Sequence, residues 1–121
     1  MMAIHADLDG DGDPDLAVAN ADDGNVSVHR NLGLDKFLEP ALYATGGSPE
    51  YLQAADLDSD GDLDLVTVSP INGPRVSVLK NDGAGGFAPP ANYSSGLGSR
   101  AVAIADLDGD GDLDLAVTED T

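Results

Sequence analysis

Apolar and polar positions alternate with a period of two along most of this chain. Between Arg100 and Ala105, Val102 and Ile104 alternate with alanine, as in a strand whose neighbour packs closely. Leu115 to Thr118 predicts a second short strand. Val76 to Leu79 predicts a third, set off by the turn residues Asn72-Gly73-Pro74. A glycine-rich turn from Asn81 to Gly86 then leads to a fourth strand around Phe87 to Tyr93. Pro89 and Pro90 fall within that last strand, and Pro40 within its counterpart nearer the start. Proline cannot donate a ladder hydrogen bond, so this strand is expected at the edge of its sheet. No segment carries a helical stripe.

The same pattern recurs. Asp7-Leu8-Asp9-Gly10-Asp11-Gly12-Asp13-Pro14-Asp15 returns 49 residues later, starting at Asp56, and again after a further 50, starting at Asp106. The match extends into the flanking strands. Leu16 to Asn20 corresponds to Leu65 to Ser69 and to Leu115 to Glu119. Val26 to Val28 corresponds to Val76 to Val78, after a one-residue insertion near Pro74. Asn31, Gly33, Phe37, Pro40, Tyr43 and Gly46 correspond to Asn81, Gly83, Phe87, Pro90, Tyr93 and Gly96. The chain thus holds about 2.4 repeats in its 121 residues. Four short strands in each repeat of about 50 residues, with an edge strand last, describe a β-propeller blade. The expected fold is all-β, built of four-stranded antiparallel blades. Residues 1–121 form a single repeat domain with blade 1 at about 1–48, blade 2 at about 49–98 and a half blade 3 at about 99–121. On its own this is an incomplete propeller.

The acidic loops carry the chemistry. Five carboxylates in nine residues repel one another, and an ordered loop of this kind needs a counter-charge. A hard divalent cation that takes six to eight oxygens, calcium above all, supplies it. Positions 1, 3 and 5 offer side-chain oxygens from Asp7, Asp9 and Asp11. Glycine at position 6 allows the sharp turn. Position 7 can supply a backbone carbonyl, from Asp13, and position 9 is Asp15. The same roles fall to Asp56, Asp58, Asp60, Asp62 and Asp64, and to Asp106, Asp108, Asp110, Asp112 and Asp114. One Ca²⁺ in each loop, three in all, is the expectation. An EF-hand would need a glutamate at position 12 and flanking helices. Position 12 is Val18, Thr67 and Val117, which excludes it, and a dockerin-type loop for the same reason. The nonapeptide repeats of β-rolls have another glycine pattern and a shorter period. A nine-residue loop within a β-hairpin remains.

These residues resemble the FG-GAP/VCBS-type repeats of the N-terminal propeller of integrin α chains and of many bacterial extracellular proteins. The three D-x-D-x-D-G-D-x-D-L runs, the strands after them and the Asn-x-Gly…Phe…Pro segment carry the likeness, with Pro14 replacing leucine in the first run. It covers essentially the whole chain. It implies that each loop joins the first two strands of a blade and binds one Ca²⁺. It also implies a calcium-binding extracellular module used for adhesion, carbohydrate binding or accessory roles beside enzymes. Propellers of the family usually have seven blades, whereas this chain carries two and part of a third.

Composition agrees with a role for ions. Sixteen residues are alanine, with two Phe, three Tyr and no Trp, so the core contributes little by area alone. Bound ions, a partner or further copies must help. The formal charge is −18, and the three loops hold 15 of the 23 acidic residues. Such a chain does not suit a nucleic-acid backbone, which takes clustered Lys and Arg. Cysteine is absent, which excludes disulfides and thiolate chemistry. No apolar stretch approaches the ~18 residues of a membrane span. Met1 to His5 lacks the basic start and apolar run of a signal peptide, so a removed leader or a longer parent protein is expected.

Other candidates are weaker. His5 and His29 sit at unlike repeat positions and read as partly exposed strand residues. Ser27 and Ser77 lie between valines with no histidine or acid at a suggestive spacing. Gly83, Gly85 and Gly86 are followed by a strand, not by the Lys-Ser/Thr and helix of a phosphate loop. Phe37, Phe87, Tyr43 and Tyr93 suit packing in the core or between blades, with ligand stacking as the alternative. Asn25 and Asn92 begin glycosylation sequons. The function that follows is an extracellular or cell-surface structural or adhesion module, not an enzyme. It would assemble with neighbouring blades or other copies of itself, and its ligand could be a protein or a glycan. The alternative is an accessory ligand- or carbohydrate-binding piece of a larger secreted enzyme or adhesin.

Overall fold

A computed structural model of the chain describes residues 1–34, 36–71, 73, 76–96 and 98–119. Ten strands and no helix are present among them: β1 (Met2–Ala6), β2 (Asp15–Asn20), β3 (Asn25–His29), β4 (Ala41–Ala44), β5 (Tyr51–Ala55), β6 (Asp64–Val68), β7 (Val76–Leu79), β8 (Ala91–Tyr93), β9 (Ser99–Ala105) and β10 (Asp114–Glu119). They form three antiparallel sheets, ordered β1-β2-β3-β4, β5-β6-β7-β8 and β9-β10. The first two are four-stranded meanders of consecutive strands, the blade arrangement expected from the sequence, and the third is a two-stranded hairpin.

The predicted fourth strand needs correction. Only Ala91–Tyr93 pairs as β8, and Pro89 and Pro90 lie just before it. Pro40 likewise precedes β4. Phe87 makes an isolated bridge to Asn81, and Phe37 to Asn31. The prolines interrupt the ladder instead of sitting in it. The edge position itself holds, since β4 and β8 are the last strands of their sheets. Of the predicted turn at 72–74, Asn72 and Pro74 lie outside the described residues.

Blades stack front to back. In sheet 1, the register aligns Ile4 with Ala17, Ala17 with Val28, Ala19 with Val26 and Val26 with Tyr43, so these side chains share one face. That face packs against Leu52, Ala54, Leu65 and Leu79 on the near face of sheet 2. The far face of sheet 2 offers Val66, Val68, Val76 and Val78 to Val102, Ile104, Leu115 and Val117 of sheet 3. The burial follows from the stacking. Residues of β2 alternate between buried and half-buried, every residue of β6 and β7 is buried, and β10 has none buried. The first strands β1, β5 and β9 approach one another in sequence along the inner side of the stack. Small alanines on one face admit the larger aliphatics of the next, so an alanine-rich composition still makes a dense interface.

Tyr43 of blade 1 meets Phe87 of blade 2 edge to face, with ring centroids 5.3 Å apart and planes at 76°. Such a contact adds ~1 kcal/mol beyond area burial. The equivalent residues Phe37 and Tyr93 are about half exposed. The packing role read from sequence therefore applies to one pair of the four rings.

Candidate metal centre

Each acidic loop joins the first two strands of its sheet. It must reverse the chain within a few residues, and two backbone positions allow this. Position 6 has φ between +93° and +95° at Gly12, Gly61 and Gly111. A Cβ there would meet nothing within 4 Å, so glycine is required by conformation and not by space. Position 4 is also left-handed in all three loops, with Ser59 at φ +62° standing where the others have Gly10 and Gly109.

Carboxylates organise the loop in two tiers. Position 1 gathers the turn: Gly10 and Gly12 amides donate to the two oxygens of Asp7 at 2.8 and 3.0 Å. Asp106 accepts from Gly109 and Gly111 at 2.7 and 2.9 Å, and Asp56 from Asp60 and Gly61 at 3.2 and 2.9 Å. Position 9 anchors the loop to the blade. Asp15 and Asp64 have no exposed surface. The Oδ2 atoms of Asp15, Asp64 and Asp114 accept from Leu8, Leu57 and Leu107 amides at 2.8, 3.0 and 2.8 Å. The Oδ1 atoms of Asp15 and Asp64 accept from Asn31 and Asn81 amides at 2.8 and 2.9 Å. Charge-assisted bonds of this kind are the strong ones.

Three side chains per loop converge. Asp7, Asp9 and Asp15 each bring an oxygen within 4.8 Å of the others, as do Asp56, Asp58 and Asp64, and Asp106, Asp108 and Asp114. Oxygens around one hard cation at 2.3–2.6 Å fall within such a span. Asp11, Asp60 and Asp110, at position 5, lie outside these triads. Each accepts the amide of Asp13, Asp62 or Asp112 at 2.9 Å. The Asp13 and Asp62 side chains lie beside Gly33 and Gly83, where an added Cβ would sit 3.0 and 2.8 Å from their Oδ2 atoms. Position 7 thus has its side chain turned to the neighbouring Asn-x-Gly turn.

The second loop holds a cation of its own. The Lys80 ammonium lies 3.2 Å from Asp58 Oδ2 and 3.5 Å from Asp64 Oδ2, two members of the triad. The hydrogen bond from Lys80 holds the Asp58 carboxyl below the usual carboxylate range. Lys80 itself is partly desolvated, but the Asp58 hydrogen bond and the charges of Asp64 and Asp58 outweigh this and raise it. In the first loop Arg30 occupies the equivalent position, yet its Nη1 donates to the Ala84 carbonyl at 3.2 Å instead. There desolvation, together with the charges of Asp15 and Asp11, pushes Asp9 up against its hydrogen bond from Asp11. Asp60 is also raised: the Asp62 amide lowers it, but desolvation and the neighbouring Asp58 and Asp62 outweigh that bond. An oxygen-only donor set, with an ammonium standing beside it in one copy, fits a hard cation.

Asn81 and Lys80 carry roles that sequence reasoning did not assign. Asn81 Nδ2 donates to the Leu8 carbonyl across the blade boundary at 2.7 Å and to the Leu63 carbonyl at 2.8 Å, and its Oδ1 accepts the Gly83 amide at 3.0 Å. The recurrence of asparagine at 31 and 81 was the available signal. His5 is exposed and His29 half-buried. Asn25 is half-buried and Asn92 exposed.

No helix among the described residues is long and apolar enough to cross a membrane. The family model described as FG-GAP-like repeat matches residues 7–67 and again 56–117. Comparison with curated proteins finds no match. The two family matches overlap on the second loop and together span all three loops and most of the chain, and on that ground the chain belongs to the family of FG-GAP-like repeats.

Proposed function

We propose that this chain is a calcium-stabilised scaffold module of the cell exterior, serving adhesion or assembly and not catalysis. One observation supports the cation reading: the Lys80 ammonium lies against Asp58 and Asp64, two of the three gathered carboxylates of the second loop. Asp7, Asp9 and Asp15, with their counterparts, would hold the ion, and the carbonyls at position 7 could add to the set. The flexible, oxygen-rich loop suits calcium better than magnesium, which demands a tighter octahedral shell. Bound calcium would cancel charge, bringing the formal −18 to −12 at three sites.

The chain's own residues do the structural work. Asp15 and Asp64 tie each loop to the next part of its blade, and position 1 closes the turn. Calcium binds the folded loop and not the unfolded chain, so it stabilises by ~2.7 kcal/mol per site at a hundred times Kd. Such a module fits a calcium-rich exterior. The test is thermal melting in calcium, magnesium and chelator. Calcium should raise the melting temperature strongly and magnesium weakly. A melting curve unmoved by chelator overturns the reading.

A further inference from the structure

We propose that the first acidic loop is a metal site shared by two blades. The turn from Asn81 to Gly86 in blade 2 rests on Asp9 and keeps its carboxylate in the triad with Asp7 and Asp15. This rests on the reading of the loops as calcium sites, and every contact that carries it runs between the two four-stranded sheets.

Asp9 has the weakest attachment of the three gathered carboxylates. Asp7 accepts the Gly10 and Gly12 amides, and Asp15 accepts those of Leu8 and Asn31. Asp9 accepts the amide of Asp11, in a longer bond of 3.3 Å. Blade 2 supplies further support. Gly85 is buried with φ +77°, and a Cβ there would sit 3.1 Å from Asp9 Cβ and 3.0 Å from Arg30 Cδ. Asp9 therefore stands against the bare backbone of the turn, and glycine is required at 85 by space as well as by conformation.

The turn is stiff enough to act as a brace. The Asp82 amide donates to the Gly86 carbonyl at 2.9 Å, and Asp82 Oδ1 accepts the Ala84 and Gly86 amides at 2.9 and 3.0 Å. At the root of the turn, the Asn81 amide donates to Asp64 in its own blade, and Asn81 Nδ2 donates to the Leu8 carbonyl in blade 1. At the tip, Arg30 of blade 1 donates to the Ala84 carbonyl at 3.2 Å. The turn thus meets the loop at two successive residues, at the carbonyl of Leu8 and at Cβ of Asp9. Groups that orient a metal ligand from outside raise the affinity of its site. By linkage, an ion in the first loop strengthens the docking of blade 2 to the same extent.

Gly85→Ala tests this, because its methyl crowds Asp9 and Arg30. Gly24→Ala is the control for backbone strain: it puts alanine at φ +65° in the turn between β2 and β3, where its Cβ meets the Gly47 carbonyl oxygen at 3.3 Å. Calcium titration followed by NMR reads the loops separately through the amides of Gly12, Gly61 and Gly111, each bonded to the first aspartate of its loop. Gly85→Ala should weaken binding at Gly12 roughly tenfold, as loss of an outer support of a metal ligand does, and leave Gly111 unmoved. Gly24→Ala should lower the melting temperature and shift none of the three midpoints. A second measurement needs no change in the turn. In Asp58→Ala, whose second loop lacks a ligand, calcium should still slow hydrogen exchange at the Asp82 and Gly86 amides of blade 2. An unchanged Gly12 midpoint in Gly85→Ala overturns the proposal, and so does an equal shift in Gly24→Ala, which would make strain the cause. Exchange at Asp82 and Gly86 that calcium leaves untouched overturns it too. An unmodified chain whose three glycine amides ignore calcium overturns the calcium reading and this proposal with it.

Discussion

Asn81 in blade 2 reaches back 73 residues to hydrogen-bond the carbonyl of Leu8 in the loop of blade 1. It links a metal loop to the next blade through a side chain that is nearly buried. Replacing Asn81 with alanine strands the Leu8 and Leu63 carbonyls and the Gly83 amide, at a cost of about 2 kcal/mol. Asn31→Ala removes fewer and more exposed bonds and should cost clearly less. Urea denaturation of the two variants side by side gives the comparison.

The gathered carboxylates of one loop should separate by what else they hold, Asp64 being an anchor as well as a ligand and Asp58 a ligand alone. Asp64→Ala leaves the Leu57 and Asn81 amides without their acceptor in the interior and should destabilise by about 3 kcal/mol, in chelator as well as in calcium. Asp58→Ala removes an exposed side chain. Its effect should show as a smaller gain in melting temperature on adding calcium, with a modest change in chelator. Equal behaviour of the two variants in both media would erase the distinction.

Lys80 should act in opposite directions with and without metal. In chelator its ammonium offsets the charges of Asp58 and Asp64, so Lys80→Met lowers the melting temperature. In calcium the same ammonium competes for those oxygens, so the variant should bind calcium several-fold more tightly at one of its sites. Calorimetric titration reads the affinity and its stoichiometry. The first and third loops should be unaffected.

Much of this architecture was legible in the sequence. A period of two at Val102 and Ile104, the recurrence of the acidic loop and the prolines at 40, 89 and 90 are local signals, and local signals placed the sheets and their edges. What failed was local too: the prolines shorten β4 and β8 instead of merely marking them as edges. The loop residues read alike from sequence because all five acids are aspartate. Their division into buried anchor, turn-former and gathered ligand depends on where β2, β6 and β10 begin, which spacing alone does not reveal. Lys80 and Asn81 act across a loop and across a blade boundary. The contrast between Phe87 and Phe37 likewise comes from the neighbour and not from the residue.

Thr67 marks a place where the second repeat departs from the others. Its Oγ1 is fully buried without a hydrogen-bond partner, while the equivalent positions are Val18 and Val117. A buried hydroxyl without a partner is costly, and valine has nearly the same shape. Thr67→Val should therefore stabilise the chain by up to about 1 kcal/mol without altering calcium binding. A loss of stability would mean that the hydroxyl has a solvent partner worth keeping.

The burial of β6 and β7 on both faces has a kinetic consequence. Blade 2 cannot separate without breaking two interfaces, whereas blade 1 and the β9-β10 hairpin each leave by breaking one. Among these residues the middle sheet is therefore the last to open, as in a one-dimensional array. An ion held in the third loop by Asp106, Asp108 and Asp114 would slow the opening of that hairpin.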